Sequence, residues 1–124
     1  MKASNERRPR WVYSVGTEPD PRFTLANERT LLAWIRTSTG FAAGGGGVLL
    51  ARQLIGPWAV LISAGAFTLS LVIVVGALLR WARMERALRE DNALPAPLLA
   101  GAIAAALAFG AIMGLVFDSI IRRL

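Results

Sequence analysis

The chain has 124 residues, a net charge of +6, no cysteine or histidine, and 55% hydrophobic residues. So large a hydrophobic fraction could not be covered by so few polar residues in a soluble domain, which indicates a membrane protein. Without cysteine and histidine, we expect no disulfide, no thiol chemistry and no transition-metal site. The basic residues cluster at predicted membrane edges without a recognition motif, so nucleic acid is not an expected partner.

Three apolar stretches predict three membrane-spanning helices, at about 31–51, 57–79 and 94–117. Each has about the 20 helical residues that cross a bilayer core. The second and third contain no charged residue, whereas the first contains Arg36. The sequence thus predicts an all-α membrane protein with a polar cytoplasmic tail, 1–19, and a three-helix transmembrane domain, 20–124.

The first helix should begin at Asp20-Pro21, with Asp20 as the N-cap and Pro21 at the first helical position. A helix that continues to Ala51 would be about 46 Å long, which exceeds the roughly 30 Å hydrocarbon core. Its first three turns should therefore lie in the cytoplasm or at the interface. The tail before it is expected to be mobile and to lie on the anionic leaflet through its arginines.

Three arginines, Arg22, Arg29 and Arg36, recur at seven-residue spacing where this helix enters the membrane. Seven residues make two helical turns, so the three side chains fall along one face. Arginine at a bilayer edge is costly unless it faces water, a partner or an anion. The stripe is therefore either a basic path into the membrane or a set of cytoplasmic anchors that snorkel to headgroups.

A short turn at 52–57 should fold the first two helices into an antiparallel hairpin. The connector 80–92 carries opposite charges at helical i,i+4 spacing, so it should continue the second helix. These pairs are Glu85 with Arg89 and Arg86 with Glu90. Prolines 95 and 97 begin the third helix. Ten of the fourteen basic residues lie before the first span or between the second and third, and Arg36 lies at the inner edge of the first. This bias of eleven to three predicts a cytoplasmic N-terminus and an external C-terminus.

Glycines indicate how the helices pack. Gly40, Gly44 and Gly47 form a stripe on the first helix, and the third carries Gly110 and Gly114. Such small residues let another backbone approach closely in a membrane. The partner is either a helix of the same chain or another subunit. Three helices enclose little space, so we expect an oligomer.

Residues that could support catalysis are scarce. The sequence has no paired-carboxylate site, no Cys/His pair and no phosphate-binding loop, so we expect no enzyme and no cofactor. Ser38, Ser63 and Ser70 have no neighbouring base and are expected to bond to carbonyls within their own helices. Proton-coupled transport needs an acidic residue deep in a span, where this chain has only threonine, serine and apolar residues.

The segment from Ala26 to Thr37 reads Ala-Asn-Glu-Arg-Thr-Leu-Leu-Ala-Trp-Ile-Arg-Thr. It resembles the signature of the YidH-like bacterial inner-membrane proteins, a family named as a domain of unknown function. A similar signature opens the transmembrane domain of the eukaryotic vacuolar transporter chaperone, which makes and translocates polyphosphate. The resemblance covers about 21–124 and implies a multi-pass protein of the bacterial inner membrane with three spans.

The resemblance also implies a site. Domains of the eukaryotic complex form a ring of five whose first helices line a polyphosphate path, with Arg22 and Arg29 corresponding to its basic inner mouth and Glu28 to its motif acid. It implies membrane lipids, a homo-oligomer (a pentamer by analogy) and phosphate or polyphosphate as partners. These 124 residues contain no phosphate-sensing or polymerase domain, so we do not expect synthesis of polyphosphate by that route.

Glu28 follows Asn27 and precedes Arg29, but it lies on another helical face from Arg29 and cannot pair with it well. We expect Asn27 and Glu28 to pair with a neighbouring helix, with Arg80 or Arg83 as the partners of Glu28. The alternative is that Asn27, Glu28 and Arg29 only join helices at the membrane interface.

The sequence leaves two candidate functions for the protein. One is an anion or polyphosphate-like conduit with a basic mouth, and the other is a non-transporting membrane scaffold or accessory subunit.

Overall fold

The protein, described here by a computed structural model covering residues 7–94 and 96–121, is built from helices. The five elements, in chain order, are α1 (Arg10–Tyr13), α2 (Pro21–Leu50), α3 (Arg52–Ile55), α4 (Trp58–Glu90) and α5 (Leu98–Ile121). No strand occurs in these described ranges. The predicted all-α class is therefore confirmed for this part of the chain.

The long helix α2 begins where the sequence predicts. The Asp20 carboxylate accepts a hydrogen bond from the backbone N–H of Arg22 at 2.9 Å, and Pro21 occupies the first turn. This bond satisfies one of the donors that a helix N-terminus leaves free. The predicted turn at 52–57 contains the short helix α3, and Gly56 then turns the chain with a φ of +78°, a conformation that favours glycine.

Helices α2 and α4 pack against each other as an antiparallel hairpin. Ser38 and Ser70 lie opposite each other midway, and each hydroxyl donates to the other residue's carbonyl oxygen at 2.8 Å. Nearer the turn, the Ser63 hydroxyl donates to the carbonyl oxygen of Gly45 at 2.8 Å. The prediction that these serines bond within their own helices is wrong. The helices approach closely enough for the short hydroxyls to bridge them, which satisfies polar groups on the buried face.

Gly45 is the residue that permits this close approach. A Cβ at Gly45 would lie 3.1 Å from the Ala66 Cβ and 3.3 Å from the Ser63 carbonyl oxygen. The predicted packing residues Gly40, Gly44 and Gly47 are exposed instead, with nothing within 4 Å of a Cβ built at any of them. Gly110 is equally open, and the surroundings of Gly114 lie outside the described residues. Among the described residues, the Gly40 stripe does not pack against another helix of the chain, and its packing between subunits stays a prediction.

Helix α4 continues well past its apolar stretch, as the connector's charge pattern predicts, and ends at Asp91 with a φ of +55°. By length and composition, α4 is the helix among the described residues that could cross a membrane. In α5, a shorter apolar stretch covers Ala100–Gly110. The predicted first and third spans therefore stay predictions.

Residues 7–18, the N-terminal segment, are folded against the hairpin and do not form the mobile tail that their polarity suggests. Helix α1 buries Val12 completely against the end of α4. The backbone N–H of Thr17 donates to the carbonyl oxygen of Arg89 at 3.0 Å. Gly16 adopts a φ of +61°, and a Cβ built there would overlap the same carbonyl, so a side chain would not fit. One apolar anchor and one backbone bond therefore fold this segment onto the hairpin.

Candidate functional site

The three arginines of the stripe lie on the side of α2 that faces away from α4. All three are exposed, whereas Asn27, Ser38 and Gly45 are buried on the opposite side. At about 100° per residue, the two sets lie roughly 180° apart around the helix axis. The guanidinium groups of Arg22, Arg29 and Arg36 make no hydrogen bond and no ion pair among the residues that the structure describes.

The exposed glycines share this face. Counted from Arg29 at the same 100° per residue, Gly40, Gly44 and Gly47 fall within about 60° of it. The outward face of α2 therefore carries charge toward its N-terminal end and small, open glycine positions farther along the helix. We call this surface the arginine–glycine face.

The neighbouring motif residues lie elsewhere. The side-chain amide of Asn27 donates to the carbonyl oxygen of Trp81 at 3.1 Å and so joins α2 to α4. Glu28 lies beside Glu85 and Arg89, whereas Arg80 and Arg83 line other sides of the helix end. Within the described chain, Glu28 pairs with neither Arg80 nor Arg83.

A cleft of about 430 Å³ opens between the N-terminal segment, the start of α2 and the end of α4. We call it the acidic cleft because three carboxylates line it against two guanidinium groups. Its polar lining is Arg7, Tyr13, Glu18, Thr24, Glu28, Glu85 and Arg89, with Pro19, Pro21 and Leu25 as the apolar part.

Glu85 is the least exposed polar residue of the cleft, with no accessible surface. Its Oε1 lies 3.6 Å from Arg89 Nε and accepts a long hydrogen bond from the Thr24 hydroxyl at 3.4 Å. Its Oε2 is buried without a hydrogen-bond partner among the described residues. A buried carboxylate with one loose ion pair is incompletely satisfied, because burial removes water that its neighbours only partly replace.

The N-terminal segment closes the cleft from outside. The Arg89 guanidinium lies over the ring of Tyr13 at 4.6 Å, and the Arg7 guanidinium lies 6.0 Å from the same ring. Arg7 also pairs with Glu18 at 2.8 Å. The Tyr13 ring thus lies next to two cations that are themselves paired with carboxylates.

Only part of this cleft could be predicted from the amino-acid sequence. The spacing of Glu85 and Arg89 correctly predicted an i,i+4 pair, but such pairs are usually solvated. The sequence did contain a signal that this pair is buried. Ile73 and Ala77 lie on the buried side of α4, and steps of four residues from them lead to Glu85 and Arg89. No local pattern marks Tyr13, because its contact with α4 depends on the fold of the N-terminal segment.

The titration of Tyr13 should report on Glu85. Burial, and then the Glu85 charge, raise the pKa of Tyr13 above its ordinary value of 10.0. Because the folded protein keeps this proton where the unfolded chain loses it, stability should fall as pH rises above about 10. We expect Glu85→Gln to lower the pKa, measured by tyrosinate absorbance of the chain's one tyrosine. Glu90→Gln should leave the titration unchanged, and an unchanged midpoint in Glu85→Gln would contradict the assigned contact.

Comparisons with known proteins identify the family of this chain. Residues 22–87 match the family described as "Domain of unknown function (DUF202)". The chain is 43% identical over 89 residues to "Inner membrane protein YidH" of Escherichia coli, covering 68% of this chain and 75% of that protein, and the Shigella flexneri protein of the same name gives the same values.

An uncharacterized protein of Mycobacterium tuberculosis is 44% identical over 80 residues, which cover 63% of this chain and 66% of that protein. No solved structure matches the chain. The residues that match the family model include the whole arginine stripe, the Asn27–Arg29 motif and most of α4. The chain therefore belongs to the DUF202 family and is a YidH-like membrane protein.

Proposed function

We propose that the protein forms a homo-oligomeric conduit for anions, with the arginine–glycine face of α2 turned toward a shared axis. Phosphate or a polyphosphate-like chain is the proposed substrate. The single observation that supports this best is the position of Arg22, Arg29 and Arg36, which point away from α4 and lack partners among the described residues.

The charge of this face favours an anion over lipid alone. Repeated around an axis, each arginine would form a positive ring, the usual device by which a pore mouth selects anions. The guanidinium group also binds phosphate oxygens through two parallel hydrogen bonds. The rings would repel one another, so an anion in the path would stabilise the assembly.

The glycines favour assembly through the same face. The α2 backbone is uncovered at Gly40, Gly44 and Gly47, where no other part of the described chain lies within 4 Å of a built Cβ. Small residues at an exposed membrane-helix face allow close helix association. Five subunits would agree with the resemblance to the vacuolar transporter chaperone.

The proposed setting is the bacterial inner membrane, as the name of the Escherichia coli relative suggests. Three spans would place the N-terminus inside and the C-terminus outside. The α4 helix and the distribution of basic residues support this topology. The basic end of α2 would then open to the cytoplasm, among anionic lipid headgroups.

The experiment measures thermal stability of the oligomer against polyphosphate concentration, paired with anion flux in liposomes. Wild type should be stabilised, and less so as salt rises. Arg29→Ala should lose the effect, whereas Arg29→Lys should keep part of it because lysine retains the charge but not the two-pronged contact.

Arg10→Ala provides the matched control, since Arg10 is exposed near the same end of the hairpin but lies outside the stripe and the acidic cleft. It should behave as wild type. Equal stabilisation of wild type and Arg29→Ala, with no flux from either, would contradict the conduit and favour a membrane scaffold.

A further inference from the structure

The acidic cleft is separate from the arginine–glycine face, and the proposed conduit does not use it. Its lining joins three parts of the chain, represented by Tyr13, Glu28 and Glu85. Its volume of about 430 Å³ lies within the range of about 300–1,000 Å³ that is typical of small-molecule sites. The cleft therefore has the size and the composite walls of a binding site.

The charges that line the cleft favour a cation. Glu18 is neutralised by Arg7 at 2.8 Å, and Arg89 is shared between Glu85 and the Tyr13 ring. Of the three carboxylates, Glu28 is left without an ion pair among the described residues. One negative charge in excess therefore faces the cleft.

Glu85 supplies the second, independent observation. It is completely buried, it lines the cleft, and its Oε2 has no hydrogen-bond partner in the described chain. An anionic oxygen in such a place accepts a charged N–H donor strongly, because charge-assisted hydrogen bonds strengthen away from water. Arg89 Nε, 3.6 Å from the other carboxylate oxygen, is likewise without a hydrogen-bond partner in the described chain, so Oε2 remains open to a further donor.

The remaining walls indicate what kind of cation fits. No three carboxylates among the described residues lie close enough together to hold a metal ion, and Ca²⁺ or Mg²⁺ takes six or more oxygen ligands. Pro19, Pro21 and Leu25 add apolar surface beside the charged groups. Apolar walls next to carboxylates suit an alkyl chain that ends in a positive charge.

We propose that the acidic cleft binds a small aliphatic amine as its ammonium ion, with Glu85 Oε2 and the Glu28 carboxylate as acceptors. The N-terminal segment forms the outer wall through Arg7, Tyr13 and Glu18. Binding therefore holds this segment against the end of α4. The site lies at the cytoplasmic end of the hairpin in the proposed topology, so its ligand is a soluble amine of the cytoplasm.

The test uses the full chain in lipid nanodiscs with ¹³C-labelled tyrosine, because Tyr13 is the chain's one tyrosine and lines the cleft. Putrescine is titrated against sodium chloride and magnesium chloride at equal ionic strength. We expect putrescine alone to shift the Tyr13 resonances saturably. Glu85→Gln should weaken binding by about ten-fold or more, as loss of a charge-assisted contact predicts, and Glu28→Gln should also weaken it.

Glu90→Gln is the matched control, since Glu90 lies five residues after Glu85 on α4 and pairs with Arg86 outside the cleft. It should bind as wild type. If Glu85→Gln does not fold, Glu28→Gln, a change at an exposed residue, decides the question. The proposal is overturned if either salt shifts Tyr13 as putrescine does, or if Glu28→Gln binds with wild-type affinity. Neither result bears on polyphosphate stabilisation or flux.

Discussion

Gly45→Leu should unfold the α2–α4 hairpin at a much lower temperature than wild type. A Cβ alone would lie 3.1 Å from the Ala66 Cβ, and leucine adds three further carbons in the same direction. The helices would have to separate, which would also break the 2.8 Å hydrogen bond from Ser63 to the Gly45 carbonyl. Overpacking of this kind costs about 1–3 kcal/mol or more, and we expect the upper end. Thermal unfolding in detergent, followed by circular dichroism, measures the change in unfolding temperature, and chemical unfolding measures the loss of free energy.

Substitutions at two other glycines distinguish packing within the hairpin from assembly of subunits. Gly65→Leu, at an exposed position of α4 with nothing within 4 Å, should leave both unchanged. Gly47 lies two residues from Gly45 but on the arginine–glycine face, so Gly47→Leu should keep the hairpin and disperse the proposed oligomer. If Gly45→Leu unfolds like Gly65→Leu, the packing assigned to Gly45 is wrong.

Arg89→Ala should strongly destabilise the end of the hairpin that lies opposite the α3 turn. The change leaves the fully buried Glu85 without its ion pair and removes the guanidinium over Tyr13. Removing one partner of a buried pair costs about 3–5 kcal/mol. Unfolding free energies by denaturant titration measure the effect, and hydrogen exchange should locate it at the end of α4.

Helix α4 itself offers the matched control. Arg86 and Glu90 form a second i,i+4 pair, at 3.0 Å, but their side chains are 42% and 29% exposed. Arg86→Ala should therefore cost under about 1 kcal/mol. The double change Glu85→Met with Arg89→Met should be less destabilising than Arg89→Ala, since no buried charge is left unpaired. Equal losses in Arg86→Ala and Arg89→Ala would contradict the burial of the Glu85–Arg89 pair.

The sequence predicted features that depend on neighbours along the chain. The Asp20-Pro21 start of α2, the hairpin turn and the continuation of α4 follow from capping, turn and charge-pair rules that act over a few residues. The stripe of Arg22, Arg29 and Arg36 on one face follows from helical geometry alone.

Features that depend on which face meets which helix were harder to predict. Gly45 and Gly44 are chemically identical neighbours, and only the register between α2 and α4 buries the first and exposes the second. The same holds for Glu85, which the apolar repeat of α4 carries into the interior. The folded N-terminal segment depends on Val12 and a backbone bond from Thr17, neither of which stands out in a polar sequence.

Cysteine crosslinking tests most directly whether the arginine–glycine face lies at a shared axis. The chain has no cysteine, so each substitution is the only thiol. Ala33 is exposed on that face, and Val75, 46% exposed on the far side of α4, lies at the same depth because Ser38 and Ser70 are opposite each other.

After mild oxidation in native membranes, Ala33→Cys should form disulfide-linked dimers, and Val75→Cys should stay monomeric. Disulfide formation needs two Cα atoms within about 7 Å, so only a face that meets its own copies will react. Efficient linkage through Val75→Cys with none through Ala33→Cys would place α4 at the subunit contact and contradict the account.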